Sequence, residues 1–170
     1  MSENQIVINS GGSLTNQETY DAVRTYIVVA QRQVNAAVNF AMVTAYWNIG
    51  KQIYRACGES ERAEYGKQLL QYLADKLTAE FGKGFNVRSL QMMRQFYLTF
   101  PNANALRSEL SWTHYRSLMR VEDETARQFY LEEAAKCGWS SRQLDRQINS
   151  FFYQRILASK DTEGRDWKEF

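Results

Sequence analysis

Proline occurs once in the 170 residues, at Pro101, so few positions force a break in a helix. Cysteine occurs twice, and neither Cys57 nor Cys137 stands near another cysteine or near His114, the sole histidine. No zinc-ligand spacing exists, and both thiols read as reduced core residues of an intracellular protein. No stretch approaches the roughly 20 apolar residues of a membrane helix. The polar, Gly/Ser-rich start from Met1 to Asn16 has no basic segment followed by an apolar run, which excludes a signal peptide. Convergent carboxylates, a paired nucleophile and base, and a glycine-rich phosphate loop after a strand are all missing. These absences predict a cytoplasmic, non-membrane, non-catalytic chain with no metal, no cofactor and no small-molecule substrate.

What is present is helical spacing. Apolar residues recur at helical intervals from Gln17 to Ser159, so the fold class is all-α, with 44% apolar residues to build a core. The pattern predicts a disordered tail over 1–16, a helical domain over 17–158 and a charged linker over 159–170 leading toward a further domain. A long first helix runs from about Glu18 to Cys57 and stops at Gly58. Within it Val23, Ile27, Ala30, Val34, Ala37 and Ala41 are spaced 4-3-4-3-4, a heptad seam built partly from small residues. That seam either packs on later helices of the same chain or joins a second copy, making a homo-oligomer. Further helices are expected over Ser60–Phe81, with acids at its start, over Asn86–Thr99, from Ser111, from Glu122–Asp123–Glu124 to Gly138, and over Ser140–Ala158. In the third, Val87, Leu90, Met93 and Tyr97 are expected inside, with Arg88, Gln91, Met92 and Gln95 outside.

Two corners share a pattern. Gly84-Phe85-Asn86-Val87-Arg88-Ser89-Leu90 returns as Gly138-Trp139-Ser140-Ser141-Arg142-Gln143-Leu144. In each, a glycine ends one helix, an aromatic packs back, and Asn86 or Ser140 caps the next helix. Such corners are the grammar of a helix-turn-helix, a DNA-reading element. The overall charge of +2 says little about a partner, but its distribution says more. From Gly82 to Arg120 the basic residues Lys83, Arg88, Arg94, Arg107, Arg116 and Arg120 face only Glu109, and from Lys136 to Arg155 four basic residues face only Asp145.

The residues expected to contact DNA are therefore Lys83, Arg88, Gln91, Arg94 and Gln95 at the first corner, and Arg142, Gln143, Arg146 and Asn149 at the second. Arg and Lys bind phosphates, while Arg, Gln and Asn can bond base edges. Which corner serves is left open by the sequence. His114 reads as a hydrogen-bonding histidine packed at a helix start. Asp166-Trp167-Lys168 has acid-x-Lys spacing but lacks the strand and upstream Asp of a nuclease site.

Several longer motifs carry a family resemblance. Tyr46-Trp47-Asn48-Ile49-Gly50, Arg62-Ala63-Glu64-Tyr65-Gly66-Lys67-Gln68, Arg94-Gln95-Phe96-Tyr97, Leu110-Ser111-Trp112-Thr113-His114-Tyr115-Arg116, and Trp139-Ser140 with Arg146-Gln147-Ile148-Asn149-Ser150 resemble the N-terminal domain of the bacterial YhcG-like nucleases. The resemblance spans about Tyr20 to Lys160. It implies a helical domain that precedes a nuclease domain of the PD-(D/E)xK class, whose carboxylates and lysine lie outside this chain. The expectation is a DNA-binding, self-associating module, the alternative an oligomerisation or partner scaffold without DNA contact.

Overall fold

Seven α-helices make up most of the described residues. The computed structural model describes residues 15–57 and 63–163, and among these no strand occurs. The helices are α1 (Asn16–Cys57), α2 (Ala63–Phe81), α3 (Val87–Thr99), α4 (Trp112–Leu118), α5 (Glu124–Cys137), α6 (Ser141–Asn149) and α7 (Phe152–Glu163), with short 3-10 turns at Lys83–Phe85 and Ala103–Ala105. The expected tail over 1–14, the stop at Gly58, the acids Glu61 and Glu64, and the Asp166-Trp167-Lys168 triplet lie outside the residues or side chains described. The chain divides into two units, Met1–Asn35 and Ala36–Phe170.

In the first unit, α1 is opened by a reciprocal cap. The Thr15 backbone N–H and hydroxyl donate to Glu18 Oε2 at 2.7 and 2.9 Å, and the Glu18 N–H returns a bond to Thr15 Oγ1 at 3.2 Å. The Thr15 backbone bond, followed by that of its hydroxyl, holds the Glu18 carboxyl below its ordinary pKa. Val23, Ile27, Ala30 and Val34 are all exposed here. In the second unit Ala37 and Ala41 are exposed as well. All six seam positions are thus exposed among the described residues.

From Val43 onward α1 changes character: Val43, Trp47, Gly50 and Ile53 are buried. The Trp47 indole N–H donates to the Phe100 carbonyl at 2.7 Å, satisfying a buried acceptor just past the end of α3. Ile53, Leu70, Ala74, Leu90 and Met93 form one cluster. A larger one joins Phe96, Tyr115, Leu118, Tyr130, Leu131 and Leu144 with further residues of α1, α3 and α5. Helices α1 and α3 each contribute to both clusters and so join them. Burying each of the large side chains of α3 stabilises the fold by about 2–3 kcal/mol.

The inward stripe of α3 is Leu90, Met93 and Phe96. Val87 and Tyr97, expected inside, are half-buried. Tyr97 meets Trp47 edge-on at 5.2 Å, an amphipathic ring at the margin of the core. The last expected helix is two helices. Phe151 adopts φ 53°, a left-handed conformation that costs about 1–2 kcal/mol for a non-glycine residue, and α6 ends at Asn149. The break is held by Tyr130, whose hydroxyl donates to the Gln147 carbonyl at 3.3 Å and accepts from the Tyr153 N–H at 3.1 Å. It leaves Phe151 exposed and turns Phe152 toward Trp139 and Phe129. Past this break α7 continues to Glu163, beyond the expected end at Ala158.

Cys57 is half-buried, but Cys137 is exposed at the end of α5, its thiol directed at Glu133 Oε2 across 3.7 Å. It is a surface thiol, not the core residue expected, because Ala134 takes the inward position of that last turn.

Candidate nucleic-acid interface

Both corners form as local structures. At the first, Gly82 and not the expected Gly84 ends α2 and turns the chain with φ 90°, Gly84 lying within the 3-10 turn; Phe85 packs on Phe81 of α2 with ring centroids 6.0 Å apart, and Asn86 Oδ1 accepts from the Ser89 N–H at 2.9 Å. At the second, Gly138 takes the left-handed conformation at φ 61°, and Ser140 and Gln143 cap one another. The Gln143 carbonyl oxygen accepts from both the Ser140 N–H at 2.7 Å and its hydroxyl at 2.9 Å. Trp139 packs against the larger core cluster, which includes Tyr130 and Ala134 of α5. Its ring contact is with Phe152 of α7, made possible by the helix break.

A cleft of about 510 Å³ lies between α3 and α4. Arg88, Met92 and Gln95 form one wall, Thr113, Arg116 and Arg120 the other, and Asp145 of α6 closes it. A second cavity of about 270 Å³ adjoins it, and Arg88, Met92 and Arg116 border both. Arg88, Arg116 and Arg120 are exposed. Arg120 Nη2 pairs with Asp145 Oδ1 at 2.7 Å, the one ion pair among the described residues. Arg88 and Arg116 have no carboxylate partner among them. An exposed pair of this kind contributes only about 0–1 kcal/mol, so Arg120 is readily released to another anion.

The expected contact residues sort unevenly over this surface. Arg88 and Gln95 line the cleft, and Gln91 shares their exposed face of α3. The Gln95 amide also bonds Thr99 Oγ1 at 3.3 Å. Lys83 is exposed in the turn before α3. Arg94 does not belong to the open face: it is half-buried, and its Nε is buried without a hydrogen-bond partner. On α6, helical spacing sets Arg142 and Asn149 within about 60° of Asp145, on its side, and Arg146 about 100° away. Gln143 is engaged in its cap. Arg116 and Arg120 were not singled out as contacts by the sequence, although both fall inside its positive segment. Only the approach of α4 to α3 makes them neighbours of Arg88.

His114 fixes the start of α4 from its other side. It is buried in the first turn of α4, where Nδ1 accepts from the Ser111 N–H at 3.1 Å and lies 2.8 Å from the Ser111 hydroxyl. Nε2 lies 2.8 Å from the Trp139 carbonyl oxygen, which can only accept, so Nε2 carries the proton. One imidazole thus ties the start of α4 to the second corner. Both nitrogens are occupied, which is the structural role expected of this residue. Among the described residues no group of three His, Cys, Asp or Glu side chains is placed to hold a metal ion, and no helix is long and apolar enough to cross a membrane.

The fold and the cleft together define a helical domain whose free cationic side chains stand between two packed helices. The chain belongs to the DUF1016 N-terminal domain family, whose model matches residues 22–155. It is similar to a protein of Escherichia coli (strain K12) described as "Putative nuclease YhcG", with 31% identity over 188 residues, covering 91% of this chain and 50% of that protein. The chain thus spans about half the length of that curated relative. No solved structure matches it.

Proposed function

We propose that this domain binds DNA through the cleft between α3 and α4, self-associates through α1, and so places on DNA a nuclease domain of the kind for which its relative is named. By itself the segment cleaves nothing. The observation that carries the reading is the pair of unpartnered guanidinium groups, Arg88 and Arg116, at the junction of two cavities, with Arg120 beside them and a single carboxylate, Asp145, opposite. Guanidinium groups free of internal partners are disposed to bond phosphate oxygens and release counterions. Arg94, expected among the contacts, is partly interior, and Arg116 stands beside Arg88 in its place.

The test is fluorescence anisotropy with labelled DNA and the doubly substituted Arg88→Ala, Arg116→Ala protein. Each lost charge-assisted contact is worth about 1.5–3 kcal/mol, so the double variant should bind at least about a hundredfold more weakly while its helical circular dichroism and melting are unchanged. Undiminished binding would remove the cleft from the function.

Self-association rests on a separate observation, the exposure of Val23, Ile27 and Val34 at 50, 54 and 61%. Heptad-spaced apolar side chains left in water on a helix are the material of a helix–helix interface. Val34→Glu should convert the assembly to monomer in multi-angle light scattering. A monomeric unmodified protein at high concentration would dispose of this part. Assembly without DNA binding at low salt would instead favour a scaffold role.

A further inference from the structure

We propose that the cleft accepts an unpaired DNA strand, with one phosphate clasped between Arg88 and Arg116 and a neighbouring base unstacked into the adjoining cavity. This rests on the DNA-binding reading and assigns it a substrate class. Arg88 and Arg116 border both the 510 Å³ cleft and the 270 Å³ cavity, so a phosphate held between them has space for a nucleoside on either side. The smaller cavity has the volume of about nine waters, enough for one base.

Its lining suits a base. Tyr46 and Trp112, with ring centroids 5.1 Å apart, are half-buried and supply aromatic surface, and Met92 and Met93 add polarisable sulfur. Asn86, Ser89 and the two arginines are the polar side chains lining it, and Asn86 Oδ1 is already engaged in its cap. Aromatic surface beside a cationic groove is the recurring arrangement for unpaired strands, whose bases are free to leave the stack. A duplex finds less here. The α3 helix contributes to both core clusters, touches α1 at Gly50 and α4 through the 5.3 Å contact of Phe96 with Trp112, and forms a wall of the cleft. It is not a helix free to project into a major groove.

The experiment compares labelled oligothymidine with a blunt duplex of equal length by anisotropy at low salt, using the whole chain. One stacked base is worth about 1–3 kcal/mol, so the single strand should bind about tenfold more tightly. Gly84 borders the cavity, and a β-carbon there meets nothing within 4 Å, so Gly84→Trp obstructs the opening without a backbone clash. That variant should lose most of the preference while keeping its duplex affinity. Trp112→Phe, which retains an apolar ring of smaller area, should reduce the preference with the fold intact. Equal or tighter binding of the duplex, or a preference untouched by both variants, would overturn the inference and leave the DNA-binding cleft standing. Absence of binding to either DNA form would instead overturn the DNA-binding reading, and this inference with it.

Discussion

A β-carbon added to Gly50 would stand 1.9 Å from the carbonyl oxygen of Met93 and 2.6 Å from its carbonyl carbon. The atoms in the way are backbone, so no rotamer change makes room. Helices α1 and α3 touch here main chain to main chain, and glycine is required for its lack of a side chain. Gly50→Ala must push α3 away from α1 and loosen the packing of Ile53, Leu90 and Met93. The expected cost is about 3 kcal/mol or more, read as a lower urea midpoint. A midpoint equal to that of the unmodified protein would show that the two helices are not in contact at this point.

The imidazole of His114 supports a second prediction. His114→Ala leaves the buried Trp139 carbonyl and the Ser111 N–H without their partners, at a cost of about 2–3 kcal/mol. Thermal denaturation should show the loss, and nitrogen-15 NMR of the unmodified protein should find the proton on Nε2. A proton on Nδ1 would contradict the bond to Trp139.

How far these relationships could be read beforehand follows from the range of each interaction. Most of the helices, the corner at Gly138 and the caps at Asn86, Ser111 and Ser140 are local, set by residues within one turn, and were legible, whereas the first corner turns at Gly82 and not at Gly84. The break at Phe151 was not, because nothing nearby demands it: Tyr130, distant in the chain, holds it through Gln147 and Tyr153. Arg88 was recognised from its helical face, but Arg116 and Arg120 join it only through the packing of α4 on α3, and Arg94 looked outward until the α3 core stripe was fixed. The family resemblance, carried by the Trp- and Tyr-rich motifs, supplied what spacing alone did not.

Tyr115 gives a pH dependence. It is fully buried, and its hydroxyl accepts from the Arg107 N–H at 2.7 Å. Burial dominates and pushes its pKa up to about 12, against the downward pull of the Arg107 N–H and guanidinium, with Glu109 adding a small upward effect. The folded pKa lies above the unfolded value of about 10, so this contribution is intact below pH 10 and is lost as pH rises toward 12. The loss should approach about 3 kcal/mol, measured by urea unfolding across that interval. Tyr115→Phe should flatten this component of the profile while costing about 1 kcal/mol at neutral pH, since the Arg107 N–H then lacks its acceptor. An unchanged alkaline profile in that variant would assign the loss to other groups.

Asp145 is the one acid lining the cleft, and it competes with phosphate for Arg120. Asp145→Asn frees the guanidinium and removes a like charge from the path of DNA. Affinity at low salt should rise about three- to tenfold, with a steeper salt dependence by up to about one unit of slope. Weaker binding would mean that Asp145 positions Arg120 productively.

The most direct test of a DNA-binding cleft is the slope of log K against log salt concentration. Contacts from Lys83, Arg88, Arg116, Arg120 and Arg142 to about five phosphates predict a slope between roughly −3 for a single strand and −5 for a duplex, falling by about two units in the Arg88→Ala, Arg116→Ala protein. A slope near zero, or one that the double substitution leaves unchanged, would contradict the account.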